Sequence, residues 1–173
     1  MKARTLIGLA AVTALGSAAT ADITYSFDNT YMAFSFEQLD ANPLEGVLEG
    51  INGNFVMEYG ESYTYADDLT VLIASEDLSD IFIQIGGWSD VGAGYRYFWP
   101  EGASDAFGTV GGGSITTVPF DVTGYYLFVG HGYAGGVQGA WSGEIELLGS
   151  VVPAPGALAV LGFAGLAGRR RRA

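Results

Sequence analysis

The chain has 173 residues with seven basic and nineteen acidic side chains, one histidine and no cysteine. Nucleic-acid binding is excluded by that balance, because phosphate backbones are held by Lys and Arg. Thiol chemistry and a histidine-rich zinc site are excluded too. With no disulfide to staple it, a chain of this length has to bury a hydrophobic core, and one domain of about 130 residues is large enough to do so.

Taken in chain order, the first segment is an export signal. Lys2 and Arg4 form a basic start, Leu6 to Leu15 an apolar stretch, and Ala19-Thr20-Ala21 a small-residue cleavage site. Cleavage between Ala21 and Asp22 is expected, so residues 1–21 are set apart from the fold. The apolar stretch is short of the about 20 residues a bilayer span needs.

Residues 22–150 are expected to form one domain. Ile23, Tyr25 and Phe27 alternate with polar residues, and Met32, Phe34 and Phe36 alternate again after Asp28-Asn29, which reads as a turn. Gly46–Ile51 and Asn54–Tyr59 flank Asn52-Gly53, a dipeptide that favours a tight hairpin. Further strands are expected at 69–74, 80–86, 94–99, 114–121, 125–130 and 141–148, with loops at 38–45 and 100–113, the second including Gly111–Gly113. About nine short strands and no amphipathic helix predict an all-β fold, an antiparallel β-sandwich of jelly-roll-like form.

Several side-chain groups are candidates for chemistry. Asp67, Asp68, Asp77 and Asp80, with Glu76 beside them, are the candidate ligands for Ca²⁺, which takes carboxylate and loop-carbonyl oxygens. No D-x-D-x-D-G spacing is present, and Asp at strand ends serves turns equally well. In Tyr95–Trp99, alternation sets Tyr95, Tyr97 and Trp99 on one face and Arg96 and Phe98 on the other. With Trp88, the first three form a candidate glycan platform, since flat rings bordered by polar groups suit sugars. The same rings could instead fill a core that has no disulfides. Tyr63 and Tyr65 beside Asp67 pose the same choice.

Other motifs carry no chemistry. Gly130-His131-Gly132-Tyr133-Ala134-Gly135 matches a dinucleotide fingerprint, but no helix follows to receive a pyrophosphate. The single histidine, His131, reads as a loop residue. The nearest approach to a nucleophile elbow, Gly102–Ala106, lacks its second glycine. Among nineteen acids some carboxylate pair at glycosidase spacing arises by chance, so no catalytic residue is assigned and no enzyme activity is expected.

The C-terminus is the most specific feature. Val-Pro-Ala-Pro at 152–155, with Pro153 and Pro155, precedes an apolar run from Gly156 to Ala167 and the cluster Arg169, Arg170, Arg171 and Arg172. Residues 151–173 resemble the PEP-CTERM sorting signal of bacterial surface proteins, with Ala154 where that family usually has glutamate. The resemblance implies a hydrophobic sorting helix, transient membrane association through the tail with the arginines on the cytoplasmic side, processing by an exosortase-type protease, and delivery to the cell surface or extracellular matrix. With both ends set aside, Arg96 is the one basic residue against all nineteen acids, a net charge of −18. The expectation is a secreted, non-catalytic surface or matrix protein. The alternative is a carbohydrate-binding module, Ca²⁺-assisted in one version, that recognises extracellular polysaccharide; a small glycan hydrolase is the third class.

Overall fold

The computed structural model describes residues 22–32, 36–61, 63–132 and 138–154. In chain order these form β1 (Ile23–Met32), β2 (Phe36–Gln38), β3 (Leu44–Glu45), β4 (Val47–Gly60), a 3-10 turn (Ala66–Asp68), β5 (Leu69–Ala74), β6 (Ile81–Ile85), β7 (Tyr95–Tyr97), β8 (Val110–Asp121), β9 (Tyr126–His131), β10 (Gly139–Gly149) and β11 (Val152–Pro153). The fold is all-β. One sheet has the order β1-β10-β4-β8, the other β2-β9-β5-β6-β7, and β3 and β11 form a small separate ladder. Every ladder is antiparallel except β6–β7.

Alternation within the strands builds the core between the sheets. From the first sheet come Ile51, Phe55 and Met57 of β4, Ile115 of β8, and Trp141, Ile145 and Leu147 of β10; from the second come Leu69, Val71 and Ile73, Ile83 and Ile85, and Leu127 and Val129. Each large aliphatic side chain moved out of water contributes about 1.5–3 kcal/mol. Polar outward residues of β4 and β10 meet one another, with Asn52 Nδ2 donating to Glu146 Oε2 at 2.6 Å and Ser142 Oγ to Glu58 Oε1 at 2.6 Å.

Strand β5 is buried on both faces. Its outward residues Leu72 and Ala74 pack with Phe128 in a second cluster, against which Leu78 and Val91 rest. Val91 belongs to the segment joining β6 to β7, which folds back over the outer face of the sheet. Gln84, fully buried, holds that segment: its Nε2 donates to Gly86 O (3.1 Å) and Ser89 O (2.7 Å), and its Oε1 accepts from Val91 N (3.2 Å). Because the chain doubles back there, β7 enters parallel to β6.

Several expectations are corrected. Asp28-Asn29 is not a turn but an irregularity inside β1, where the register with β10 shifts between Phe27 and Thr30. The hairpin at Asn52-Gly53 does not exist: β4 runs straight through it, and neither residue has a positive φ. A Cβ on Gly53 would lie 2.7 Å from Trp99 Cζ3, so this glycine makes room for a ring rather than a turn. Gly111–Gly113 open β8 instead of forming a loop, pairing with Phe55, Asn54 and Gly53. Phe55 crowds Gly111 as Trp99 crowds Gly53.

The fold continues past residue 150. Val151 is fully buried, Val152 and Pro153 pair with Glu45 and Leu44, and Ala154 N donates to Pro43 O at 2.7 Å. Leu44–Glu45 is therefore a strand within the expected 38–45 loop. Phe34, Ala21, Pro155, the expected sorting helix and Arg169–Arg172 lie outside the described residues. Among the described residues, no helix is long and apolar enough to cross a membrane.

Candidate functional site

At the end of the second sheet where β5 begins and β6 ends, Tyr65, Asp67, Asp68, Trp88, Phe98 and Trp99 line a groove of about 380 Å³, with Gly87 and Ala103 completing it. It is positioned from the core outward. Trp99 Nε1 donates to Leu69 O at 2.8 Å and Trp141 Nε1 donates to Ala66 O at 3.0 Å, so two buried indoles hold both ends of the turn that carries Asp67 and Asp68. Buried indole N–H groups need such acceptors. Gly86 makes the first bond geometrically accessible, because a Cβ there would lie 2.3 Å from Trp99 Nε1.

The neighbouring segments are tied to the same turn. Gly87 N donates to Asp67 O (3.0 Å), Gly132 N to Asp68 O (2.9 Å), and Asp67 N to Gly102 O (3.1 Å). The Asp68 carboxylate accepts the Tyr65 backbone N–H at 2.8 Å, closing the 3-10 turn, and also faces the Trp88 backbone N–H. Burial pushes its pKa up to about 6; the two N–H groups oppose that rise and the charge of Asp67 adds to it. Burial raises Asp67 as well, with its own backbone N–H opposing.

The walls are aromatic. Trp88 is 76% exposed and Phe98 63% exposed. Arg96 braces both: its guanidinium lies over the Phe98 ring at 4.7 Å and its Nη2 donates to Trp88 O (2.7 Å) and Gly87 O (3.0 Å). Its remaining charge partner is Asp90, at 3.9 Å.

The expected platform is thus redrawn. Trp99 is only 5% exposed and stacks edge-on against Phe55 in the core, at 5.3 Å. Tyr97 packs against the same core. Tyr95 is half exposed but belongs to a different aromatic group at the opposite end of the sandwich, 4.4 Å from Phe120 and 5.6 Å from Phe82. Of the four expected platform residues, the groove keeps Trp88 and one edge of Trp99. Phe98 takes the role given to Tyr95 and Tyr97, because it lies exposed beside Arg96, while Tyr97 and Trp99 pack into the core. A lone charged residue in the alternation was the available signal for choosing between the faces.

The four candidate metal aspartates do not converge. Asp67 and Asp68 precede β5 while Asp77 and Asp80 follow it, roughly 20 Å away along six extended residues. Asp77 Oδ1 accepts from Ser79 Oγ, Ser75 Oγ and Ser79 N, which hold its pKa down at about 2, the Ser79 hydroxyl contributing most. Asp80 Oδ2 accepts from the Tyr125 hydroxyl at 3.0 Å. Among the described residues, no three His, Cys, Asp or Glu side chains group as metal ligands.

His131 is not in a loop. It ends β9, fully buried, with its ring 5.2 Å from Trp141. Ser104 accepts hydrogen bonds from Ala106 N and Thr109 Oγ1 within its loop. Compared with family models, curated proteins and solved structures, the chain matches none of them.

Proposed function

We propose that the chain is a secreted, non-catalytic cell-surface or matrix protein, sorted by a PEP-CTERM-like tail, whose sandwich domain binds extracellular polysaccharide in the Trp88–Phe98 groove. The observation that carries the binding role is the groove itself: two exposed rings braced by the domain's one arginine, over a floor with two carboxylates. Aromatic faces with a few fixed polar groups are the balance a sugar site needs.

The domain is further read as a jelly roll. Support comes from the facing strand orders β1-β10-β4-β8 and β2-β9-β5-β6, which interleave two Greek keys, with β7 an addition at the edge. Export rests on the N-terminal segment, and the exosortase-type partner and transient membrane association rest on the tail resemblance.

Binding of the full chain to a glycan array tests the reading. Retained glycan is expected, with affinity lost at least tenfold in Trp88→Ala and Phe98→Ala while the melting temperature holds within a few degrees. Silence across neutral, amino and acidic glycans would overturn it. A second reading, a small glycan hydrolase, is favoured by one observation, the raised pKa of Asp68 beside Asp67 in the groove. Release of reducing ends that stops in Asp68→Asn would establish it.

A further inference from the structure

Within that polysaccharide-binding reading, on which this step rests, we infer that the groove selects sugars bearing a free amine, whose ammonium group is seated on Asp67 and Asp68 between the rings of Trp88 and Phe98. The two carboxylates are neighbours in one turn, both lining the groove, and Asp68 is 5% exposed. Like charges withdrawn from water disfavour each other's ionisation, and the raised pKa of Asp68 reflects that in part.

No cation among the described residues relieves them. Arg96 is the sole basic residue of the exported domain, and its guanidinium is committed to Phe98, the Gly87 and Trp88 carbonyls and Asp90. A neutral ligand covering the groove would desolvate the carboxylates further, at a cost in affinity. An anionic ligand would meet repulsion from the floor and from a domain of charge −18. An ammonium group offsets the floor charge, and aromatic faces attract cations. The sugar ring that carries it supplies the apolar surface for Trp88 and Phe98.

Calorimetric titration of the full chain at pH 6 and 0.15 M salt, with trimers of glucosamine, N-acetylglucosamine and glucose, decides the matter. The glucosamine trimer is expected to bind at least tenfold more tightly than the other two. Asp67→Asn and Asp68→Asn should each erase that preference, Trp88→Ala should abolish binding of all three, and Asp77→Asn, the same charge change at the far end of β5, should alter nothing. Titration in two buffers of different ionisation enthalpy should show proton release on binding, lost in Asp68→Asn.

Equal affinity for the three trimers, with Trp88→Ala still abolishing it, would overturn the amine selectivity and leave the groove reading standing. Loss in Asp77→Asn as large as in Asp67→Asn would assign the preference to bulk charge and overturn the inference. No binding by any trimer would overturn the inference and count against the reading it rests on. Should Asp68→Asn fail to fold, the partly exposed Asp67 decides alone.

Discussion

Gly53 and Asp68 show how single residues in this fold are decided by what lies against them. The Asn-Gly dipeptide has strong turn propensity, yet its glycine is placed mid-strand so that the Trp99 ring can lie on the backbone, with Phe55 beside it. Gly53→Ala is expected to cost about 1–3 kcal/mol in urea unfolding, the usual penalty of overpacking, because Trp99 is held by its bond to Leu69 O and cannot retreat. Asp68 makes a different prediction. Its folded pKa, about 6, lies above the ordinary 3.8, so the native state binds the proton more tightly. The resulting stability is present in full below about pH 4 and is lost as pH rises through 6, a loss of up to roughly 3 kcal/mol. Asp68→Asn, which keeps an oxygen for the Tyr65 N–H, should flatten that decline when unfolding is measured at pH 4 and pH 8. Asp77, held low at about 2 by its serine partners, loses its contribution only below that window.

Elements were legible in the sequence where local pattern and packing agree. Leu69–Ala74 was readable to the residue because a run of apolar residues bounded by Asp67-Asp68 and Ser75-Glu76 leaves a strand no alternative; Ile81–Ile85 and Tyr126–His131 fall within a residue of expectation. The failures at glycines share one cause, contacts made by distant segments. Gly53 and Gly111 are glycines demanded by rings that arrive from distant segments, Trp99 and Phe55, while Gly112 and Gly113, at positive φ, lie against the backbone of Gly53 and the ring of Pro100; a local reading assigns such glycines to turns. The groove was half legible for the same reason. Asp67, Asp68 and Trp88 stood out singly, but that Gly86–Gly87 would carry Trp88 back to the turn before β5 depends on Gln84, which looks like an ordinary strand polar residue. Gln84→Leu should leave the Gly86 and Ser89 carbonyls and the Val91 N–H without their partner, a cost of about 1–3 kcal/mol for each buried unsatisfied group. Faster amide exchange confined to residues 86–92, with weakened ligand binding, is the expected signature.

For the whole molecule, composition and pattern were the most reliable guide: no cysteine, aromatics concentrated between residues 22 and 150 and an all-β pattern lead directly to a two-sheet core. Its C-terminal limit was not legible, since Val151–Pro153 reads equally well as the opening of the apolar tail. The burial of Val151 and the pairing of Val152–Pro153 with Leu44–Glu45 predict that a chain ending at Ala154 melts like one extended to 173. A chain ending at Ser150 should melt several degrees lower, having lost the buried Val151 side chain from the core and left β3 unpaired.

The same ladder determines how the domain would carry a mechanical load. A pull on the C-terminus reaches first the two-residue β3–β11 ladder, then β10, which lies inside its sheet with β1 on one side and β4 on the other. All eleven residues of β10 pair with β4, and eight of them also pair with β1, so both ladders would have to shear together. Stretched between its C-terminus and a handle on β4, the molecule should yield once at low force as β11 peels away, then hold rigid until the central strand ruptures. A protein tethered by that end thus has a short sacrificial clasp in front of its strongest seam.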